Sequence, residues 1–324
     1  MKSVHEKVEL IGPTNFYIMS LSKYLILLYR GETVKKCFKH IEEDWKFCSI
    51  HENYRQIMLK NAHYGRYLII LCAIFMYCGG FGYHLVRPLV SEKIITHENI
   101  TVIPYPAPVY GKFLNTGYSP YYEIIFILLL VADFVLFSAT VVPFSFASVL
   151  TLHACGQLEI ATIYLNDLVS ETRKETNFAH ERLIIIINSH LRVLSFVSQL
   201  EQLLNEICLI EVVGCSMNMC LVGSYIIESW KKDDLTATIS YAVILLSFTF
   251  NIFIYCYLGE LLTTQATKLG EKGYMIEWHR LPRKISLDLL LFIRVCQFPA
   301  KITAGKVVTL SMATFSKVYL LDCR

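Results

Sequence analysis

The sequence predicts an all-α, multi-pass transmembrane helical bundle, and three observations support this fold class. Of the 324 residues, 54% are hydrophobic and only 18% are charged, and the mean hydropathy is +0.45. The apolar residues are grouped in long blocks with almost no charge inside, which suits hydrocarbon rather than a soluble core. Basic residues lie in the connections between these blocks. The net charge of +3 is too small to indicate a nucleic-acid partner.

Six blocks approach the roughly 20 residues that a helix needs to cross the hydrocarbon core of a membrane. Three of them, at 67–86, 124–152 and 235–258, contain Asp133 as their one formal charge. The other three carry more charge and therefore require partners inside the bundle: 9–29 with Lys23, 207–227 with Glu211, and a C-terminal block whose spanning part we place at 305–321. We expect residues 1–324 to form one domain in a lipid membrane.

Basic residues in alternate connections predict the orientation of the bundle. Lys and Arg number seven in 31–66, four in 166–206 and five in 259–284, against two in 91–118 and two in 229–234. By the positive-inside rule, the first three connections face the cytoplasm and the other two face outward. This orientation places both the N-terminus and the C-terminus outside.

Two features of the connections follow from this orientation. The connections 31–66 and 166–206 are too long for turns, and apolar residues recur in the second at helical spacing, so we expect cytoplasmic helical extensions. The residues that suggest this spacing are Leu183, Ile184, Ile187, Leu191, Leu194 and Val197. On the outer side, the sequon Asn99-Ile100-Thr101 makes Asn99 a candidate glycosylation site.

The sequence contains no convincing motif for an enzyme, a cofactor or a metal site. It has no GxxxxGK[ST] loop, and Gly79, Gly80 and Gly82 lie in an apolar block, where close helix packing explains them better than phosphate binding does. His153 and Cys155 supply only two potential metal ligands. Most of the 11 cysteines lie within or beside apolar blocks, so no disulfide framework is expected. We therefore predict a protein that is not an enzyme and binds no cofactor or metal.

Asp133 and Glu211 are carboxylates at membrane depth, where an ionised group is costly and is usually either functional or paired inside the bundle. Both interpretations stay open from the sequence alone. The acidic run 42–44 beside Lys46 is instead typical of a solvated helix face.

The C-terminal third contains an ordered series of short motifs. They are Tyr255-Cys256-Tyr257-Leu258-Gly259-Glu260, the spaced Tyr274 and Trp278, then Arg294, Gln297 and Pro299, and finally Thr303-Ala304-Gly305-Lys306 with Thr314-Phe315. Upstream elements of the same kind are Asp44-Trp45, Gly65-Arg66 and Ser119-Pro120-Tyr121-Tyr122-Glu123. This series resembles the insect odorant receptor family, and the similarity extends over nearly the whole chain.

The resemblance implies a divergent odorant receptor subunit in the plasma membrane of olfactory sensory neurons. Such a subunit would form an odorant-gated, non-selective cation channel as a hetero-tetramer with the olfactory co-receptor. Family members have seven spans, so we expect this chain, with six, to lack the first span and the last turn of the last helix. Within the motifs, Gly259 can end a helix, and Pro299 would split the last helix into parts near 284–297 and 305–321.

The resemblance also implies that a small volatile binds in the outer half of the bundle. The positions that this places at the ligand are Phe16, Tyr17, Phe75, Cys78, Gly82, Phe126, Leu130, Phe134, Tyr241, Ile244 and Phe248. For each residue by itself, ordinary bundle packing is the alternative. The last helix, which lines the pore in the family, carries Thr309, Met312, Phe315, Ser316 and Tyr319.

Two other functions remain as alternatives. A gustatory-type receptor channel would carry the signature TYxxxxxQF in its last helix, where this chain has TAGKVVTLSMATF. An ion-coupled membrane transporter could use Asp133 and Glu211 as coupling carboxylates.

Overall fold

A computed structural model of the protein describes residues 11–82, 84, 94–95, 101–102, 105, 120–172, 176–277 and 280–322. The described residues form eight helices: α1 (Ile11–Tyr29), α2 (Gly31–Cys48), α3 (Glu52–Phe81), α4 (Tyr121–Thr172), α5 (Thr176–Lys231), α6 (Leu235–Met275), α7 (Arg283–Cys296) and α8 (Met312–Asp322). Two short antiparallel hairpins pair β1 (Ile94–Ile95) with β2 (Thr101–Val102), and β3 (Thr303–Ala304) with β4 (Val308–Thr309). The predicted all-α transmembrane fold class is confirmed.

Four helices, α3 to α6, are long and apolar enough to cross a membrane in the described part of the chain. They contain the apolar blocks 124–152, 207–227 and 235–258 and most of 67–86. Helices α1 and α8 do not reach this length and hydropathy by themselves. The assignment of 9–29 and 305–321 as further spans therefore stays a prediction.

Helices α4, α5 and α6 are much longer than a membrane span. They have 52, 56 and 41 residues. At 1.5 Å per residue this gives lengths of roughly 60–85 Å, about twice or more the thickness of the hydrocarbon core. Each helix therefore continues past the membrane. The long connections 31–66 and 166–206, in which helices were expected, contain α2 and the first half of α5.

The buried face of the α5 extension differs from the predicted one. Leu183, Ile186 and Val197 are buried, whereas Ile184 and Leu191 are exposed. Residues 184–187 are four consecutive isoleucines, and an unbroken apolar run does not fix the rotational phase of a helix. Two of the predicted positions, Ile184 and Leu191, therefore lie outside the buried face, because adjacent residues of a helix are about 100° apart around its axis.

The main hydrophobic core lies where the helix extensions meet. Leu158 and Leu165 of α4 pack there with Leu200 of α5 and Leu262 of α6, and all four are buried. The amphipathic helix α7 closes this layer with its own buried face, which includes Leu289. The core of the extensions thus holds together the helices that cross the membrane.

The chain after α7 is broken at Pro299, as predicted, because proline lacks the amide hydrogen that a continuing helix needs. Residues 303–309 then form the β3–β4 hairpin, whose turn has positive φ at Gly305 (61°) and Lys306 (60°). Helix α8 consequently begins at Met312, so the first part of the range 305–321 is not helical.

The hairpin is held against α5 by hydrogen bonds. The backbone amide of Gly305 donates to the carbonyl oxygen of Asn205 at 2.8 Å, and the Thr303 hydroxyl donates to a Glu201 carboxylate oxygen at 2.7 Å. The base of the last helix is thereby fixed to the extension layer.

The prediction that Gly259 ends a helix is wrong, because α6 continues to Met275. Gly259 is buried inside α6, where Leu310 packs against it, and a Cβ at this position would collide with the Leu310 carbonyl oxygen. The glycine therefore permits a close approach between α6 and the segment that leads into α8.

Candidate functional site

Phe137 of α4 is the centre of an aromatic cluster in the half of the bundle that the charge pattern places outside. Its ring centroid lies 5.9 Å from those of Phe16, Phe81 and His84, and 6.3 Å from that of Tyr77. Only 4% of Phe137 is exposed. Rings from α1, from α3 and from the segment just after α3 thus meet on one residue of α4. We call these five residues, Phe16, Tyr77, Phe81, His84 and Phe137, the Phe137 cluster.

Two glycines of α3 let it approach its neighbours closely. A Cβ at Gly79 would collide with Ser247 of α6, and a Cβ at Gly80 would collide with the ring of Phe137. The predicted role of these glycines in helix packing is confirmed. A Cβ at Gly82 would meet no atom of the described residues within 4 Å.

Asp133 lies on the same face of α4 as Phe137, because the two are four residues apart. It is 3% exposed, and its Oδ1 accepts a hydrogen bond from the Tyr17 hydroxyl at 3.4 Å. Its Oδ2 lies 3.1 Å from Nδ1 of His84. Asp133 is therefore paired within the bundle, beside the Phe137 cluster. This spacing could have identified Phe137, which the sequence analysis missed together with Tyr77 and Phe81.

Five of the eleven positions expected at the ligand lie together inside the bundle. Phe16 belongs to the Phe137 cluster, Tyr17 bonds to Asp133, and the ring of Phe248 on α6 lies 6.3 Å from that of Phe16. Ile244 packs with the buried Tyr241, which contacts α5. The five residues lie on α1 and α6, and α5 is reached through the contact of Tyr241.

The other six positions are spread more widely. Phe134 is 51% exposed and forms the outer edge of the Phe137 cluster through Tyr77, with ring centroids 5.6 Å apart. Cys78 is exposed, and Phe75 stacks on Phe250 of α6 at 4.2 Å. The remaining half-buried positions are Phe126, Leu130 and Gly82.

The residues expected in the last helix lie in α8 and at its base. The ring of Phe315 lies 5.5 Å from Phe253 of α6, and the Met312 amide donates to Glu260 of α6 at 3.2 Å. Thr309 belongs to β4. Ser316 is exposed, and its hydroxyl donates to the Met312 carbonyl oxygen. The side chain of Tyr319 lies outside the described residues, as does Asn99.

The charges in the two weaker apolar blocks pair with each other. Nζ of Lys23 on α1 lies 2.5 Å from Oε2 of Glu211 on α5, and both side chains are sealed from solvent. The thiol of Cys215 donates to the other Glu211 oxygen at 3.3 Å. Glu211 is thus a paired structural carboxylate, and the required partner inside the bundle is found.

Asp44 is a buried carboxylate in the extension layer, so the prediction of a solvated acidic face at 42–44 is wrong for this residue. Its carboxylate is bonded to Nε2 of His153 at 2.9 Å and to Nε of Arg192 at 2.7 Å, and His40 lies 3.5 Å away. Burial would raise the pKa of Asp44, but the bonds from His153 and Arg192 outweigh it, and the pKa is lowered. Glu42 does behave as predicted, since it is exposed and pairs with Lys46.

No group of three or more His, Cys, Asp or Glu side chains in the described ranges could hold a metal ion. His153, one of the two candidate ligands considered above, instead bonds to Asp44. The ten cysteines that the structure describes are not joined to one another by disulfide bonds.

Comparison with known proteins gives curated relatives that are odorant receptors. Odorant receptor 10 of Aedes albopictus is 28% identical over 219 residues, which are 64% of this chain and 56% of the relative. Odorant receptor 13a of Drosophila melanogaster is 22% identical over 263 residues, or 77% of this chain and 61% of the relative. The chain thus matches less than two thirds of the length of these relatives.

The fold is that of solved insect olfactory receptors. The structure of the olfactory receptor OR5 from Machilis hrabei superposes with a TM-score of 0.77 at 14% identity and covers 98% of this chain and 78% of that chain. A second structure of OR5, in complex with eugenol, gives a TM-score of 0.76.

The family model described as 7tm Odorant receptor matches residues 3–320, which is nearly the whole chain. The family is one of receptors rather than enzymes. Together with the helical membrane bundle, this match identifies the chain as a member of the 7tm odorant receptor family.

Proposed function

We propose that this chain is the ligand-binding subunit of an odorant-gated, non-selective cation channel that it forms with the olfactory co-receptor. A small volatile binds among α1, α3, α4 and α6 in the outer half of the bundle. The subunit acts in the plasma membrane of olfactory sensory neurons. No covalent chemistry is required, because a ligand that binds the open state more tightly than the closed state shifts the population toward the open state.

The observation that carries this proposal is that α6 contacts both the last helix and the aromatic site, by which we mean the Phe137 cluster together with Phe248 of α6. Phe248 of α6 faces Phe16, whereas Phe253 of the same helix faces Phe315 of α8. The two α6 residues are five positions apart, which is about 7.5 Å along the helix axis. A ligand that displaces Phe248 therefore acts on a rigid element whose next turns contact α8.

The chemistry of the aromatic site fits a small and mostly apolar ligand. Its rings come from Phe16, Tyr77, Phe81, Phe137 and Phe248. Aromatic side chains offer large contact areas, and sites for small molecules are lined mainly by hydrophobic and aromatic side chains. OR5 of Machilis hrabei, to which this chain is similar in fold, has been solved in complex with eugenol, a small aromatic phenol.

The exposed face of α7 supports assembly with other subunits. One face of this helix is buried through Ile285 and Leu289, but the opposite face exposes Leu287, Leu290 and Leu291. The helix belongs to the extension layer, which the predicted orientation places in the cytoplasm outside the lipid. A row of exposed leucines in water favours burial against another protein surface, and the co-receptor is the partner that the proposal assigns to it.

A direct test is to express the chain in cells with and without the insect olfactory co-receptor and to record whole-cell currents during exposure to a panel of volatiles. We expect cation currents only in cells that express both proteins. Phe315→Ala should reduce the maximal current while ligand-induced thermal stabilisation of the purified chain is retained. Phe47→Ala, which truncates an exposed ring of α2, is the matched control. Absence of any current despite demonstrated surface delivery would contradict the proposal.

A further inference from the structure

The carboxylate of Asp133 is enclosed by aromatic rings as well as by its two polar partners. Phe137 lies one helical turn further along α4, and the His84 ring, which contacts Asp133, is 5.9 Å from the Phe137 ring. The Tyr17 ring, whose hydroxyl bonds to Asp133, is 6.4 Å from Phe16. The carboxylate is thus held at 3% exposure among rings from α1, α4 and the segment after α3.

A carboxylate at this depth is costly unless a cation compensates its charge. Among the described residues, the group within ion-pair distance of Asp133 is the imidazole of His84, and no Lys or Arg of that part of the chain reaches it. The Oδ2 atom of Asp133 is buried and accepts no hydrogen bond from the described residues. Within the described ranges, the charge of Asp133 is therefore less completely balanced than a pairing with Lys or Arg would make it.

Glu211, the other carboxylate at membrane depth, shows the contrasting arrangement. It is paired with the ammonium group of Lys23, accepts a bond from Cys215, and is sealed from solvent. The two carboxylates thus differ in what they could still bind.

We propose that Asp133 recognises a volatile amine, whose protonated amino group pairs with the carboxylate while its apolar body packs among the rings of the Phe137 cluster. This inference rests on the proposed function and specifies the ligand class of the same site. An alkylammonium group gains an ion pair with Asp133 and favourable contacts with the faces of nearby rings, an arrangement that proteins use to bind organic cations. A neutral volatile of the same shape gains only the packing.

The test compares three volatiles of nearly equal size, namely 2-phenylethylamine, 2-phenylethanol and ethylbenzene. Each is applied to cells that co-express the co-receptor with the wild-type chain, with Asp133→Asn, or with Glu123→Gln. Glu123 is the matched control, since it is an exposed carboxylate at the outer end of the same helix. In parallel, thermal unfolding of each purified full-length chain in detergent reports ligand binding independently of current.

We expect the amine to be at least about tenfold more potent than the alcohol on the wild-type chain, a ratio that corresponds to 1.4 kcal/mol. Asp133→Asn should abolish this preference, and Glu123→Gln should preserve it. The amine should also raise the unfolding temperature of the wild-type chain more than the alcohol does. If Asp133→Asn fails to reach the membrane, His84→Gln serves instead, and it should keep or strengthen the amine preference because it removes the competing imidazole.

Several outcomes would overturn the inference. Equal potency of the amine and its neutral analogues, an amine preference that survives in Asp133→Asn, or loss of that preference in Glu123→Gln would each do so. A stronger response to the alcohol would indicate a neutral hydrogen-bond donor as the ligand instead. Amine-specific thermal stabilisation without any current would contradict the channel function while leaving the ligand assignment intact, so the two failures are distinguishable.

Discussion

Lys23 and Glu211 form an ion pair of 2.5 Å that joins α1 to α5 with both side chains sealed from solvent. Removing one member leaves the other as an uncompensated buried charge, which typically destabilises a protein by about 3–5 kcal/mol. We therefore expect Lys23→Met and Glu211→Gln each to lower the thermal unfolding temperature in detergent and to reduce surface delivery.

The double variant Lys23→Met with Glu211→Gln should recover much of this loss, because it removes both charges together. Lys35→Met is the matched control, since Lys35 forms an exposed pair with Glu32. A double variant that is no more stable than the two single variants would show that the charge pairing is not the cause.

Gly259 and Gly223 should respond oppositely to the same substitution. Gly259→Ala places a Cβ against the backbone of Leu310, so α6 must move away from the base of α8. We expect a loss of about 1–3 kcal/mol of stability and a smaller maximal current. Gly223 lies within α5 in open space, and Gly223→Ala should stabilise the chain by up to about 1 kcal/mol through helix propensity. Thermal unfolding and current recordings of both variants check this.

Asp44 and Glu42 should also differ, although they lie two residues apart on α2. Asp44→Asn removes the charge that Arg192 pairs with, but the half-exposed Arg192 stays solvated, so we expect a loss of about 1–3 kcal/mol of stability. Glu42→Gln breaks only an exposed pair with Lys46 and should leave the unfolding temperature unchanged within error. Similar effects of the two substitutions would argue against a buried network around Asp44.

His40 should make stability depend on pH. Burial lowers its pKa from the ordinary value of 6.5, an effect that Asp44 partly opposes, while Arg192 and His153 reinforce it and Glu43 opposes it. Because the unfolded chain binds the proton more readily than the folded chain, stability should fall as the pH decreases below 6.5 toward the folded pKa. Thermal unfolding of His40→Gln across this range should show a shallower slope than the wild type.

His190 contributes in the same direction, because burial lowers its pKa as well. We therefore expect His40→Gln to remove part of the slope, and the combined variant with His190→Gln to remove more. His51→Gln, which changes an exposed histidine at the start of α3, should keep the wild-type slope. An unchanged slope in the combined variant would contradict this account.

The fold could be predicted from the sequence because the free energy of transferring an apolar block from water into lipid depends on the residues of that block alone. The pairing of Lys23 with Glu211 could not, since the two residues are separated by 188 positions and each looks like an isolated charge in its own block. The same limit applies to Asp44, whose partners His153 and Arg192 lie on two other helices.

The candidate site was predicted in part, and α4 shows why. The expected positions Phe126, Leu130 and Phe134 follow one another in steps of four residues. Each such step rotates the side chain by about 40° beyond a full turn, so the third position drifts off the face on which the first lies. Phe134 is accordingly half exposed, whereas Phe137 is buried.

The β3–β4 hairpin has a consequence for how the last helix can move. Its turn is tied to Asn205 of α5, and Leu310, which follows β4, is pressed against Gly259 of α6. Because the segment that precedes α8 is held by contacts with both α5 and α6, α8 cannot slide along its own axis without breaking these contacts. We therefore expect α8 to rotate about Leu310, so that a small rotation at its N-terminal end produces a larger displacement at its C-terminal end.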